Sequence, residues 1–367
     1  PLQPRSLRGL QKRGRVCQLP TVNCLLMPGF ARRIVDWQRT HGRHDLPWQR
    51  TRDAYRIWVA EIMLQQTQVV TVIPYYDRFL AAFPDVSALA RADEDAVLAQ
   101  WSGLGYYRRA RHMHAAAREV VDRHGGTFPR DSATLAALPG IGPSTAAAIA
   151  AFASGERGAI LDGNVKRVLA RHRGIDGDPA SPAVESALWA LARRLVPREA
   201  IEAYTQGMMD LGATLCTRTK PRCGECPVAR DCVARREGRT GELPGKRSRR
   251  ALPHREVQLV WAERAGDVLL ERRPSTGVWG RLWSLPEIDV DADPVAALAE
   301  RYGIGARLLE RLAPIDHAFT HYALTMHPSR LAAKASRAAL PAECIWIARA
   351  DLAGAALPAL IRRLLAR

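Results

Sequence analysis

Long hydrophobic runs are missing from this 367-residue sequence. The longest weakly polar stretch, Ala146 to Ala153, is about half of the ~20 residues that a bilayer-spanning helix needs, so no membrane insertion is expected. A secretion signal is missing too. The first 28 residues carry Arg5, Arg8, Lys12, Arg13 and Arg15 but no continuous apolar core and no small-residue cleavage site. They read as a disordered basic arm or a mis-assigned start. Cysteine is sparse, and Cys17, Cys24 and Cys344 are scattered singly, which argues against a secreted disulfide framework and for a reducing compartment. Negative charge is scarce as well: 37 acidic residues face 54 basic ones, for a net charge of +17 and a pI near 10.3. Such a surface suits a polyanion, because each phosphate it neutralises releases condensed counterions; nucleic acid fits best, although an anionic membrane surface would also attract it.

β-Alternation is absent from residues 29 to 232. Apolar residues recur there at spacings of three and four, punctuated by Pro47, Pro74, Pro84, Gly125-Gly126, Pro139-Gly140, Gly174 and Pro197, which predicts an almost wholly helical region. A basic connector follows over 233–253, with the run Lys246-Arg247-Ser248-Arg249-Arg250. Beyond it the period changes. Val257–Trp261 and Val268–Leu270 read as strands joined near Gly266-Asp267, a helix is expected over Pro294–Tyr302, and further strands near His321–Met326 and Cys344–Ile347. The expected architecture is therefore a mainly α N-terminal half and a separate α+β domain over 254–367.

What is present, and concentrated, is a cysteine quartet. Cys216, Cys223, Cys226 and Cys232 follow the spacing C-x6-C-x2-C-x5-C. Thiols crowded so closely share a bond or a metal. Only Cys223 and Cys226 form the short knuckle usual in structural zinc sites, and the spacing matches neither common ferredoxin pattern, so zinc and iron–sulfur both stay open on spacing alone.

Three further constellations could carry chemistry. Leu138-Pro139-Gly140-Ile141-Gly142-Pro143-Ser144-Thr145 links two helical stretches, with Gly140 and Gly142 allowing a tight turn and Pro143 suited to a first helical turn. Free amides at such a helix start bind phosphate; an ordinary helix–helix turn is the plainer reading. Asp162 precedes Gly163-Asn164-Val165-Lys166-Arg167-Val168-Leu169 and reads as an N-cap, or as a carboxylate facing a developing positive charge, roles that one side chain can combine. Glu61 shares its helix face with Ile57, Trp58, Leu64 and Gln65. It is either an acid at the rim of a core or a desolvated, protonated general acid.

From about residue 29 onward, the chain resembles the adenine DNA glycosylases of the MutY type, within the helix-hairpin-helix superfamily that also contains endonuclease III. The resemblance rests on Leu46-Pro47-Trp48, on Glu61-Ile62-Met63-Leu64-Gln65-Gln66-Thr67-Gln68-Val69 and on Gly103-Leu104-Gly105-Tyr106-Tyr107. It rests also on the L-P-G-I-G turn, the Leu161–Leu169 segment, Met209-Asp210-Leu211-Gly212-Ala213 and the cysteine quartet. It implies a [4Fe-4S] cluster on Cys216, Cys223, Cys226 and Cys232. It implies hydrolysis of the N-glycosidic bond of adenine mispaired with 8-oxoguanine or guanine in double-stranded DNA, with the base extruded from the duplex. Glu61 would protonate the departing adenine and Asp162 would stabilise the cationic sugar. Related bifunctional enzymes carry a Schiff-base lysine where Ser144 stands; a serine cannot form that imine, so base removal without a dedicated lyase step is expected, with Lys166 near enough for weak lyase activity. Gln66 and Tyr106 would wedge into the stack, with Leu64, Gln65 and Thr67 bordering the opened helix and Trp48 lining the adenine pocket.

The C-terminal half resembles the Nudix-like domain of the same family through Thr276–Pro286. Pro286 occupies the position of a metal-binding glutamate and the later R-E-x-x-E-E pattern is missing, so pyrophosphatase activity is not expected. His317-Ala318-Phe319-Thr320-His321 matches the segment that contacts 8-oxoguanine, with Phe319, Thr320 and His321 as the lesion readers and Thr320 in place of the usual serine. The expected protein is a monomer working in a bacterial cytoplasm at the nucleoid.

Overall fold

A computed structural model describes residues 27–245, 252–319, 321–336 and 339–367. The basic arm up to residue 26, Cys17, Cys24, the Lys246–Arg250 run and Thr320 lie outside the described residues. The N-terminal half is built from α1 (Met27–His41), α2 (Ala54–Leu64), α3 (Val69–Ala82), α4 (Val86–Arg91), α5 (Glu94–Trp101), α6 (Arg108–His124), α7 (Ser132–Ala137), α8 (Pro143–Ser154), α9 (Gly163–Arg173), α10 (Pro182–Leu195) and α11 (Ile201–Asp210). The scarce acids are spent on starts: Asp53, Asp85, Asp131 and Asp162 each accept a hydrogen bond from an amide in the first turn of α2, α4, α7 and α9. Pro74 does not break the chain as its spacing suggests, because α3 runs through it. The carbonyl it orphans belongs to Val70, which is 74% exposed, so water can satisfy it.

These helices form two hydrophobic bodies. One gathers α2 to α7 around Trp58, Phe79 and Trp101, the other gathers α1 and α9 to α11 around Ile34, Leu169 and Leu211. The alanine-rich α8 is buried on nearly every side and serves both, giving Ala146, Ile149 and Ala150 to the first and Ala147, Ala148 and Ala151 to the second. Small side chains allow that close approach on two sides.

The connector is folded as far as it is described. A short helix, α12 (Val233–Arg236), lies within it, Leu243 is buried, and the Leu243 carbonyl accepts from Arg171 Nε at 2.8 Å. The sheet domain contains β1 (His254–Arg264), β2 (Asp267–Arg272), β3 (Trp283–Ser284), β4 (Glu287–Ile288), α13 (Pro294–Tyr302), β5 (Ala306–Arg311), β6 (Ile315–Ala318), β7 (Ala323–Ala333), β8 (Cys344–Ala348) and α14 (Ala359–Leu365). β1 and β2 form the expected hairpin, with Ala265 and Gly266 both at positive φ in a two-residue turn. β1 pairs in parallel with β7 over the long register His254↔Ala323 to Glu263↔Ala332. Successive residues of β1 face opposite layers: Leu259 and Trp261 pack toward α14, Val260 and Ala262 toward α13. Coverage on both faces explains why β1 is an apolar run at its centre rather than an alternating strand.

The two halves touch along the α5–α6 loop. Ser102 Oγ donates to the Leu357 carbonyl at 2.6 Å and accepts from Arg362 Nη2 at 3.1 Å. Asp95 pairs with Arg272 and accepts from Trp283 Nε1 at 3.3 Å, and Arg111 donates to the Ser275 carbonyl at 2.8 Å. Leu282 and Ala356 of the sheet domain join the helical core.

Candidate active site and cleft

Glu61 is the only acid of α2 and stands half-buried on the wall of a cavity of about 290 Å³. Trp48, edge-on to Tyr76 at 5.4 Å, lines the same cavity, with Gln38, His44, Ile57, Phe152 and Gln206. Burial raises the Glu61 carboxyl to about 8, and the charge of Asp162 pushes the same way. Asp162 caps α9, its Oδ1 accepting from the Val165 amide at 2.7 Å. Burial raises Asp162 as well, but amides of Val165 and Asn164 and the charges of Arg167 and Lys166 pull back toward the anion. The proton of the pair therefore rests on Glu61, which has no such donors among the groups that shift it. The two carboxylates come from the two hydrophobic bodies, Glu61 on one side of α8 and Asp162 on the other.

Ser144 offers no free hydroxyl to chemistry: its Oγ accepts from the Leu161 amide at 2.8 Å and so holds the residue next to Asp162. Lys166 is engaged too, with Nζ on Glu185 Oε1 at 2.6 Å. Gly140 has φ +78° and a Cβ there would strike His112 at 2.6 Å, so the turn demands glycine. Gly142 does not; it caps α8 with an ordinary extended backbone and open space around it.

A second cavity, about 1070 Å³, opens between the helical half and the sheet domain. Gln65, Gln66, Tyr106 and Gly140 line one wall, Trp279, His317, Phe319 and His321 the other, and Arg108, Arg109, Arg111 and His112 make it basic. Of the non-glycine residues with positive φ, Gln66, Tyr106 and Trp279 all border this cleft. Left-handed backbone at non-glycine residues persists only where surroundings impose it, and it gathers at functional surfaces. Tyr106 is 48% exposed, a large aromatic presented to the opening. Phe319 is braced by His317 at 4.4 Å, Tyr322 at 4.9 Å and Trp279 at 5.5 Å between ring centres. Leu64 packs on the helical core, and Thr67 Oγ1 accepts from Arg109 Nη2 at 3.2 Å, so these two border the cleft from behind.

The sequence reading missed Arg109, Trp279 and His317 as parts of this wall. Arg109 carried a signal: helical spacing sets it on the same face as Met113 and Ala116, both buried, and a cation there must have partners.

Cys216, Cys223, Cys226 and Cys232 surround one cavity walled by Val168, Leu211, Leu215 and Val228. Among the described residues no three His, Cys, Asp or Glu side chains close on a point able to hold one ion. Four thiols spread around an apolar cavity fit a multi-iron cluster with one thiolate at each corner. Burial lifts the Cys226 thiol to about 11 and raises Cys232, while Arg171 Nη1 donates to Cys216 Sγ at 3.4 Å. Thiolates there call for cationic iron and for that guanidinium.

Three family models match the chain: a HhH-GPD superfamily base excision DNA repair protein over residues 59–194, the iron-sulfur binding domain of endonuclease III over 216–232, and a NUDIX domain over 257–367. The adenine DNA glycosylase of Buchnera aphidicola subsp. Acyrthosiphon pisum is 34% identical over 299 residues, 82% of this chain and 85% of that protein. The chain belongs to the adenine DNA glycosylase family. The adenine DNA glycosylase of Rattus norvegicus, 35% identical over 398 residues, covers 90% of this chain and is itself covered to 77%. A solved thermostable thymine-DNA glycosylase superposes with a TM-score of 0.53 at 30% identity, covering 57% of this chain and 97% of that one. Membership makes the protein a DNA-binding hydrolase of N-glycosyl bonds with a [4Fe-4S] cluster as its cofactor. Among the described residues no helix is long and apolar enough to cross a membrane.

Proposed function

We propose that the protein removes adenine mispaired with 8-oxoguanine, or with guanine, from double-stranded DNA, acting as a monomer in the cytoplasm at the nucleoid. The observation that carries this reading is Glu61 held near 8 on the wall of a cavity it shares with Trp48, with anionic Asp162 close enough to act on it. The adenine leaves the stack and enters that cavity. The Glu61 carboxylic acid gives its proton to the base nitrogen N7, and the electron pair of the C1′–N9 bond leaves with the adenine. Asp162 stabilises the resulting oxocarbenium-like sugar, and water attacks C1′ while its proton passes to the Glu61 carboxylate. Gln66 and Tyr106 enter the vacated stack from the helical wall of the cleft, and Phe319, Thr320 and His321 meet the 8-oxoguanine from the other. The cluster, held by Cys216, Cys223, Cys226 and Cys232, keeps in shape a loop that sets Arg218, Lys220, Arg222 and Arg230 toward the DNA backbone.

The helical half alone also resembles a thymine-DNA glycosylase, so substrate choice is the point to test. A single-turnover comparison of duplexes containing A:8-oxoguanine, A:G, G:T and thymine glycol is expected to show adenine release alone, fastest opposite 8-oxoguanine. Preferential release of thymine or of the oxidised pyrimidine would overturn the reading, as would a borohydride-trapped lyase intermediate on thymine glycol DNA.

A further inference from the structure

One buried guanidinium joins the elements on which this reaction depends. Arg109 Nη1 donates to the carbonyls of Ile62 at 2.8 Å, Met63 at 2.8 Å and Gln65 at 2.6 Å. These are carbonyls at the end of α2, which the helix itself leaves without partners. Nη2 donates to Thr67 Oγ1 and to the Gly105 carbonyl, each at 3.2 Å. The same group lies over the rings of Trp101 and Tyr106. Its printed partners are carbonyls, a hydroxyl and ring faces; no carboxylate pairs with it. So one fork ties the turn that follows Glu61, with Gln66 inside it, to the loop that carries Tyr106. That loop is bonded in turn to the sheet domain, through Ser102 Oγ on the Leu357 carbonyl and Arg362 on Ser102 Oγ.

We propose that Arg109 is a positioning residue that links lesion reading to base removal: through Ser102 and the Tyr106 loop, seating of the sheet domain on the lesion sets the wedge pair and the end of α2 that bears Glu61. The inference rests on the adenine-excision reading above and names the connection between its two walls. Lysine at this position retains the charge but presents one compact ammonium, which cannot span both segments as a planar fork does.

The test is single-turnover excision from A:8-oxoguanine and A:G duplexes by the full-length, cluster-loaded protein, alongside equilibrium binding and thermal unfolding. For Arg109→Lys, excision opposite 8-oxoguanine is expected to fall roughly 10- to 100-fold, as misplacement of catalytic groups by about 1 Å does. A:G excision falls less, so the preference for the lesion shrinks, while affinity for undamaged duplex is unchanged. A merely structural arginine would slow both substrates alike. Ser102→Ala, which removes only the tie between halves, gives the second arm should the lysine variant fold poorly: it lowers the ratio of A:8-oxoguanine to A:G rates and leaves the A:G rate as it was. Ratios within about twofold of wild type in the folded variants would overturn the proposal. If the wild type itself releases no adenine, the excision reading fails instead, so the two failures are told apart.

Discussion

The helical pocket and the cleft beside it are built on opposite terms. In the pocket, two identical functional groups are driven apart by their surroundings: Glu61 faces a cavity without donors, Asp162 sits on a helix start rich in them. In the cleft, chemistry gives way to shape, with left-handed backbone at Gln66, Tyr106 and Trp279 and a stack of rings around Phe319. The contrast teaches that base removal needs one proton in one place, whereas finding the base needs two walls from distant parts of the chain.

The sharpest break of that contrast is Glu61→Gln. Removing the general acid is expected to slow adenine release by about 10³-fold or more while duplex binding persists, measured by single-turnover excision and by gel-shift titration. Asp162→Asn removes the anion but retains the amide-accepting oxygen, so the cap survives and excision falls by about 10²- to 10³-fold. Phe319→Ala attacks the other region; excision opposite 8-oxoguanine drops by about tenfold and A:G excision barely moves, because one aromatic contact carries on the order of 1 kcal/mol.

The pH profile separates the regions more gently. Excision requires protonated Glu61 and ionised Asp162. Its rate therefore declines as pH rises through about 8, and on the acid side it declines above the ordinary aspartate range, because burial raises Asp162. Glu61→Gln should also melt higher than wild type at pH 8 and alike at pH 4. A carboxyl raised from 4.5 to about 8 costs the folded state progressively between those values, and a glutamine has no proton to lose. Equal melting at both pH values would show that the cavity hydrates Glu61 fully.

The sequence by itself determined the elements whose causes are local. The helix starts at Asp53, Asp131 and Asp162, the glycine at 140, the hairpin at Gly266 and α13 over Pro294–Tyr302 all follow from caps, turns and period within a few residues. The cysteine spacing announced a metal site for the same reason. Strands β5 and β6 escaped notice because β5 is exposed along nearly its whole length and both are held by β7 rather than by an apolar pattern of their own. Only the tertiary structure decided which carboxyl holds the proton, since that depends on burial and on the other carboxylate some hundred residues away. It alone turned Arg109 from one basic residue among 54 into a tie between two loops, and brought Phe319 opposite Tyr106 across one opening. Desolvation and long-range hydrogen bonding act through space, and neighbours in space are what a linear sequence does not record.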